Sequence, residues 1–374
     1  MPCLFTHRAL YILLLIGLSL PLRAQSLPTD RWTSLFDGKS LTGWDTYLRQ
    51  PEGTTQAPFG LNNDPLHVFT VADGAIRASG QLWGGISTRQ EFDNYHLQLE
   101  VRWGTKKWYP SDSTRRDAGL LYHATGPFSF AYDCWLRSSE LQIQEGEIGD
   151  FFGVGAGSAE FPTQPVMVRG KSLEQYAFEA PLHRNADAVG SGRVYRSGNF
   201  ERPHGQWNTV ELITRGADAV YIVNGYVVNR LFNTYRPTIH QQTTRGKIQL
   251  QSEGAEVYYR QIRLRPVNYT SPGSLSLTAD KTALTDLSPG KPQTVRITNR
   301  GDAVELVAVE LSGPAGDRFR VQLPTFPKRL KRGETLDLPV SATSAGPGNP
   351  ARATLRLETV LGPVPDLAVT LQSR

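Results

Sequence analysis

The chain of 374 residues carries 40 Lys and Arg against 35 Asp and Glu, a formal charge of +5, together with 35 Gly, 25 Pro and only 2 Cys. The near balance of charge argues against a nucleic-acid binder held by bulk electrostatics, and two cysteines cannot make a disulfide framework. The length suits two domains, and the Gly, Pro and aromatic content fits an all-β chain.

At the N-terminus, His7 and Arg8, the apolar run Ala9 to Leu20 and then Pro21-Leu22-Arg23-Ala24 have the layout of a secretory leader cleaved after Ala24. The run is too short to span a bilayer. Cleavage removes Arg8, Arg23 and Cys3, lowers the charge to about +3 and leaves Cys134 as a lone thiol. The mature protein is therefore expected to be secreted, periplasmic or at the cell surface, with no transmembrane span.

From His96 to Trp103 the chain alternates strictly, with Leu97, Leu99, Val101 and Trp103 on one face and Gln98, Glu100 and Arg102 on the other. The stretch "SELQIQE", Ser139 to Glu145, reads as a strand with Glu140, Gln142 and Gln144 on one face and Ser139, Leu141 and Ile143 on the other. Glu145 then starts on the wrong side, and a β-bulge near Gln144 is expected to bring it round to Glu140. Residues 151–206 are rich in Gly, Pro and Arg with little alternation, the composition of a functional wall. Ala219 to Val223 and Tyr226 to Arg230 flank Asn224-Gly225, a two-residue hairpin turn. A second hairpin joins Lys247 to Gln251 with Glu256 to Arg265, and Glu253 is read as its cap.

No helix-period segment of length follows the leader, so residues 25–268 are expected to form a sandwich of antiparallel sheets with one outer face curved into a groove. A boundary falls in Pro266 to Ser274. The short alternating runs of 269–374 read as an immunoglobulin-like β-sandwich without its disulfide. This tail, in its strand rhythm and "VRITNRGD", resembles the hydin-like Ig-type modules of secreted bacterial proteins, which implies a spacer or an attachment module for a surface or a glycan.

The pattern Glu140-x-Gln142-x-x-Glu145 resembles the Glu-x-Asp-x-x-Glu strand of laminarinase-like glycoside hydrolases, with Gln142 in place of the middle acid. The blocks "LFDGKSLTGWDTYL", "VRWGTKKWYP", "RRDAGLLYH", "CWLRSSELQIQEGEIGDFFGVG", "WNTVEL" and "GKIQLQSEGAEVYYRQIRLRPV" run in order through residues 35–267. They resemble the 3-keto-disaccharide hydrolase domain family. The resemblance implies a concanavalin A-like jelly roll acting on glycosides oxidised at C3. Such a substrate asks for a base at C2, a partner for the enolate oxygen and an acid for the leaving group.

On that reading Glu140, Glu145, His123 and Lys107 are the catalytic candidates. Gln142, Trp135, Arg102, Asp117 and Trp44 are the substrate-binding candidates, and a carbohydrate is the expected partner. The competing readings are solvent-facing strand polars for the two acids, a structural histidine for His123, solvated rim cations for Lys107 and Arg102, and core aromatics for Trp44 and Trp135. Asp117 is also placed to orient His123 or Lys107, or to pair with Arg115 or Arg116. The oxygen-rich turn Glu145, Glu147 and Asp150 has a composition that suits Ca²⁺, but its spacing fits no loop motif, so a hydrated acidic turn is expected and no metal is assigned. Two other functions stay open: a non-catalytic carbohydrate-binding protein, and a conventional retaining glycosidase using Glu140 and Glu145.

Overall fold

The computed structural model describes residues 31–374 except 52, 110–112, 169, 186–191, 238–239, 268–273, 314 and 344–349. The expected leader and most of the expected boundary lie outside the described residues. The architecture is all-β, with two antiparallel sheets stacked face to face in a jelly-roll sandwich.

One sheet has seven strands in the order Phe151–Val154, Arg137–Gln142, Gly119–Thr125, Lys247–Ser252, Gly84–Thr88, Trp44–Leu48 and Gly60–Leu61. Opposite it, Phe69–Ala72, Ala75–Ala78, Ala255–Pro266, Tyr95–Lys107, Asn208–Arg215, Asp218–Val223 and Tyr226–Arg236 pair in succession. Alternation decides what fills the space between them. Leu97, Leu99, Val101 and Trp103 from one sheet are buried with Leu120, Leu141, Ile248 and Leu250 from the other. Two phenols cross this core: Tyr122 Oη lies 2.9 Å from Tyr221 Oη, which donates to the Glu140 carbonyl at 3.2 Å. The backbone of the Glu140 strand is thus tied through the core to the opposite sheet.

Residues 274–374 form two further layers. Ala283–Leu287, Val369–Ser373, Arg352–Thr359, Val304–Ser312 and Lys328–Leu330 make one, and Leu277–Ala279, Gln293–Asn299, Thr335–Ala342 and Phe319–Val321 the other. These layers dock directly on the jelly roll instead of standing off as a spacer. Asn224 and Gly225 take the left-handed dihedrals expected of the hairpin turn, φ 50° and 82°. At that tip Tyr226 pairs in parallel with Val309, the Val309 amide donates to the Gly225 carbonyl at 2.9 Å, and Tyr226 Oη donates to the Val321 carbonyl at 3.0 Å.

Behind the turn Arg230 is buried and forks onto Glu358 at 2.9 and 3.2 Å, with Glu310 at 3.5 Å. Tyr176 Oη donates to Glu310 at 2.6 Å. Removing the cation strands two buried carboxyls, so Arg230→Ala is expected to cost roughly 3–5 kcal/mol of stability. Urea unfolding followed by fluorescence and by far-UV dichroism checks this; a loss below 1 kcal/mol would mean the contact is not closed in solution.

Candidate functional site

The seven-stranded sheet turns a polar face outward, and on it lies a groove of about 150 Å³. Glu140, Gln142 and Gln144 enter it from one strand and its extension, Gln251 and Glu253 from another, and Asp117 from the start of a third. The space exists because the central strand has no side chain at Gly119: a Cβ there would overlap Glu140 Oε1 and Gln251 Oε1. Gln144 Nε2 donates to Asp117 Oδ2 at 2.6 Å. Asp117 Oδ1 and Gln251 Oε1 are buried with no hydrogen-bond partner among the described residues. Unsatisfied polar atoms of this kind suit a ligand rich in hydroxyls.

Three carboxyls share this groove, and burial works against ionising any of them. Burial and the Asp117 charge push the Glu140 carboxyl well above its usual range. Burial, then Asp117 and Glu140, do the same to Glu253, with Arg49 opposing the rise. Asp117 is raised by burial to about 6, moderated by the Gln144 amide and by Arg193. All three are thus shifted toward the protonated form, Asp117 to about 6.

The face of Glu140, Gln142 and Gln144 is as the alternation implies, but the bulge is not where it was expected. Gly119 pairs with Gln142, the Ile143 amide donates to the Ala118 carbonyl at 2.8 Å, and the Glu145 amide donates to the Arg116 carbonyl at 2.9 Å. The register runs unbroken through Gln144. Glu145 therefore stays on the opposite face, held by Arg116 at 2.9 Å and His204 at 2.9 Å. The irregularity sits instead on the neighbouring strand, between Tyr122 and Thr125, where His123 has φ 49°. The bulge turns His123 toward the rings of Tyr122 and Tyr95 and away from the groove. Burial and Arg236 lower its pKa to about 3, which suits a neutral structural ring and not a base at neutral pH.

Three other candidates also lie elsewhere. Lys107 donates to the Thr114 carbonyl on an exposed rim. Arg102 sits over Trp207 and Tyr258 on the other sheet, 4.6 and 5.1 Å from the ring centres. Trp44 is a core residue whose indole donates to the Leu35 carbonyl at 2.7 Å. Trp135 does line the groove, but it is 3% exposed, stacked on Trp83 with its indole bound to the Gly84 carbonyl, so its face is not open to a sugar. The acidic turn is closed by cations: Glu147 meets Arg115 and Arg193, and Asp150 meets Arg193 and Arg196. Among the described residues no group of three potential ligands stands ready for a metal.

Glu253, which beside a Gly turn reads as a cap, also enters the groove. The signal was present in Gln249-x-Gln251-x-Glu253, a polar alternation continuous with the groove face.

A family model described as the 3-keto-alpha-glucoside-1,2-lyase-like domain matches residues 31–265, more than half of the chain. The chain belongs to that family. All the groove carboxyls lie within the matched span. No curated protein matches the chain. Similar solved structures include a Parabacteroides distasonis protein named as a glycosyl hydrolase, 17% identical over 63% of this chain and 100% of that one, TM-score 0.37. A Bacillus licheniformis β-glucanase is 11% identical over 63% and 97%, TM-score 0.29. The carbohydrate-binding module CBM66 of Bacillus subtilis is 9% identical over 61% and 98%, TM-score 0.31.

The carboxyl cluster of this lyase-like domain has a consequence for stability. Each of the three ionises at higher pH in the folded chain than in the unfolded one. The folded chain therefore holds extra protons between the two values, and stability falls as pH rises through the folded pKa, for Asp117 from 3.8 to about 6. Glu253→Gln removes one ionising group. It is expected to raise the melting temperature at pH 8, with roughly 2–4 °C for each kcal/mol gained, and to change it little at pH 4. Melting curves at the two pH values check this; equal shifts at both would refute the electrostatic origin.

Proposed function

We propose that the groove is the active site of a carbohydrate-active enzyme that cleaves glycosides carrying a ketone at C3, by elimination and then addition of water. Membership of the lyase-like family supports this class of reaction. The observation that carries it is the meeting of three carboxyls in one groove: Asp117, with one oxygen unpartnered and its pKa raised to about 6, beside Glu140 and Glu253, whose burial favours the protonated form.

A C3 ketone acidifies the C2 hydrogen. On this reading Asp117, ionised at neutral pH and with Oδ1 free of partners, takes that proton. The electron pair forms C2=C3 with charge on the C3 oxygen, where protonated Glu140, the more buried acid, donates a hydrogen bond. The enolate collapses, C1–O breaks, and Glu253 at the mouth protonates the departing oxygen. Water then adds at C1 as Glu253 takes its proton, and Asp117 returns a proton to C2. The sum is glycoside plus water giving a 3-keto sugar and an alcohol. A retaining mechanism through Glu140 and Glu145 is set aside, because the two carboxyls lie on opposite faces of the strand.

The leader-like residues 1–24 support action outside the inner membrane, and among the described residues no helix is long and apolar enough to cross one. The immunoglobulin-like reading of the C-terminal layers, and attachment through them, belong to the same proposal; two sheets, antiparallel but for the parallel pair Ala283–Leu287 and Val369–Ser373, support it.

Turnover of a 3-keto-disaccharide in D₂O, followed at C2 by NMR, tests the reaction: deuterium at C2 is expected. For wild type, kcat/KM should fall about tenfold per pH unit below about 6, as Asp117 protonates. Asp117→Asn and Glu140→Gln should each lose roughly 10²–10⁴ in kcat, while Glu145→Gln stays within a few-fold of wild type. Binding of the keto-disaccharide without turnover would make this a binding protein; a Glu145→Gln loss matching that of Glu140→Gln would restore the glycosidase reading.

A further inference from the structure

Residues 126–136 join the two strands that carry Gly119 and Glu140, and most of their rings are held down. Phe128 stacks on Tyr47, centres 5.6 Å apart and 8° from parallel, and the Arg137 guanidinium covers Phe130 at 3.8 Å. Ala131 and Trp135 exchange both backbone hydrogen bonds at 2.9 Å, and the Cys134 amide donates to the Ala131 carbonyl at 3.1 Å. The two residues inside that turn, Tyr132 and Asp133, have φ of 52° and 59°. Two successive left-handed residues make the turn type that Asn-Gly favours. A bulky aromatic is among the side chains least suited to it, and unfavourable backbone of this sort gathers at ligand sites.

The result is a ring placed at the mouth. Tyr132 lines the groove with Glu140 and Glu253 yet is 54% exposed. Its inner side rests against Trp135, centres 5.2 Å apart, and Trp135 in turn stacks on Trp83. Burial, then the Glu253 and Glu140 charges, hold its phenol above the usual range. At about 150 Å³ the groove is smaller than the roughly 300–1,000 Å³ of a pocket that encloses a whole drug-sized ligand. It has room for about one sugar ring, so the rest of a larger glycoside must lie outside it, and Tyr132 is the exposed ring on its lining.

We propose that Tyr132 is the platform for the group that leaves from C1, and that this group presents a flat apolar face, as an aromatic aglycone or the C–H face of a second sugar does. The proposal deepens the function above and rests on it for which end of the substrate is which. Trp135 and Trp83 act as the support that fixes the platform, while Tyr132 supplies the contact.

The test compares methyl, 4-nitrophenyl and glucosyl 3-keto-glucosides on wild type, Tyr132→Gly and Tyr132→Phe. Glycine suits the left-handed turn, so Tyr132→Gly should melt no lower than wild type. It should lose roughly tenfold more kcat/KM on the nitrophenyl and glucosyl substrates than on the methyl one. Tyr132→Phe, which keeps the ring, should hold the wild-type ranking. A selective loss on one of the two flat groups supports the platform and identifies its natural occupant. Equal losses on all three substrates, or a Tyr132→Phe profile like that of Tyr132→Gly, would overturn it. Should wild type turn over none of them, the catalytic reading fails separately. Calorimetric binding of the same glycosides then decides the platform: weaker binding by Tyr132→Gly supports it, and equal binding overturns it.

Discussion

The register between Gly119–Thr125 and Arg137–Gln142 determines which side chains meet in the groove. It sets Gly119 opposite Gln142 and, carried one pair beyond Ile143 and Ala118, puts Gln144 across from Asp117, where the 2.6 Å hydrogen bond forms. Side chains alternate with period two, so a slip of one residue would send Glu140 into the core and bring Leu141 out. Gly119 removes the one side chain that would fill the groove floor, and the Tyr221 phenol fixes the Glu140 carbonyl from behind. Strand pairing, a missing side chain and a core hydrogen bond therefore act on the same acid.

The same register separates two populations of carboxyls only a few residues apart. Glu140 faces a groove with like charges and little water, and its pKa rises. Glu145 and Glu147 meet Arg116, His204, Arg193 and Arg115, and these partners outweigh partial burial and lower theirs. The arginines of 193–196 thus neutralise the turn beside the groove, and Arg193 reaches Asp117 and Glu140 only as a distant charge. A groove with its own arginine salt bridge would hold its acids ionised and could not present a proton donor. The separation is what makes acid and base work at one pH conceivable.

Much of the sandwich was legible in the sequence because alternation is a local signal. The His96 to Trp103 run, the Asn224-Gly225 turn and the polar face of Glu140, Gln142 and Gln144 all follow from it. What failed depended on register with a partner strand. A bulge near Gln144 was inferred from spacing alone, whereas the actual bulge falls at His123, and a single bulged residue leaves no mark in a block such as "GLLYH". Glu253 reads as a cap because its neighbour Gly254 is a turn residue, and only the pairing of Lys247–Ser252 beside Gly119–Thr125 brings it to Asp117. Trp135 illustrates a further limit. Sequence places an aromatic near the site, but its stacking on Trp83 decides that its face is closed.

The hairpin Asp218–Val223 and Tyr226–Arg236 links the groove to the C-terminal layers. At one point it carries Tyr221, which touches Tyr122 and the Glu140 carbonyl; at its tip it pairs with Val309; and on its return strand it carries Arg230. A composition change at Pro266 to Ser274 looks like a domain boundary, yet buried hydrogen bonds and a buried ion pair cross the gap it suggests. Groups satisfied only across such an interface bind the two parts energetically, because separating them would leave a guanidinium and two carboxyls without their partners. The C-terminal layers are therefore a brace for the hairpin that backs the Glu140 strand, held to it by buried hydrogen bonds and a buried ion pair.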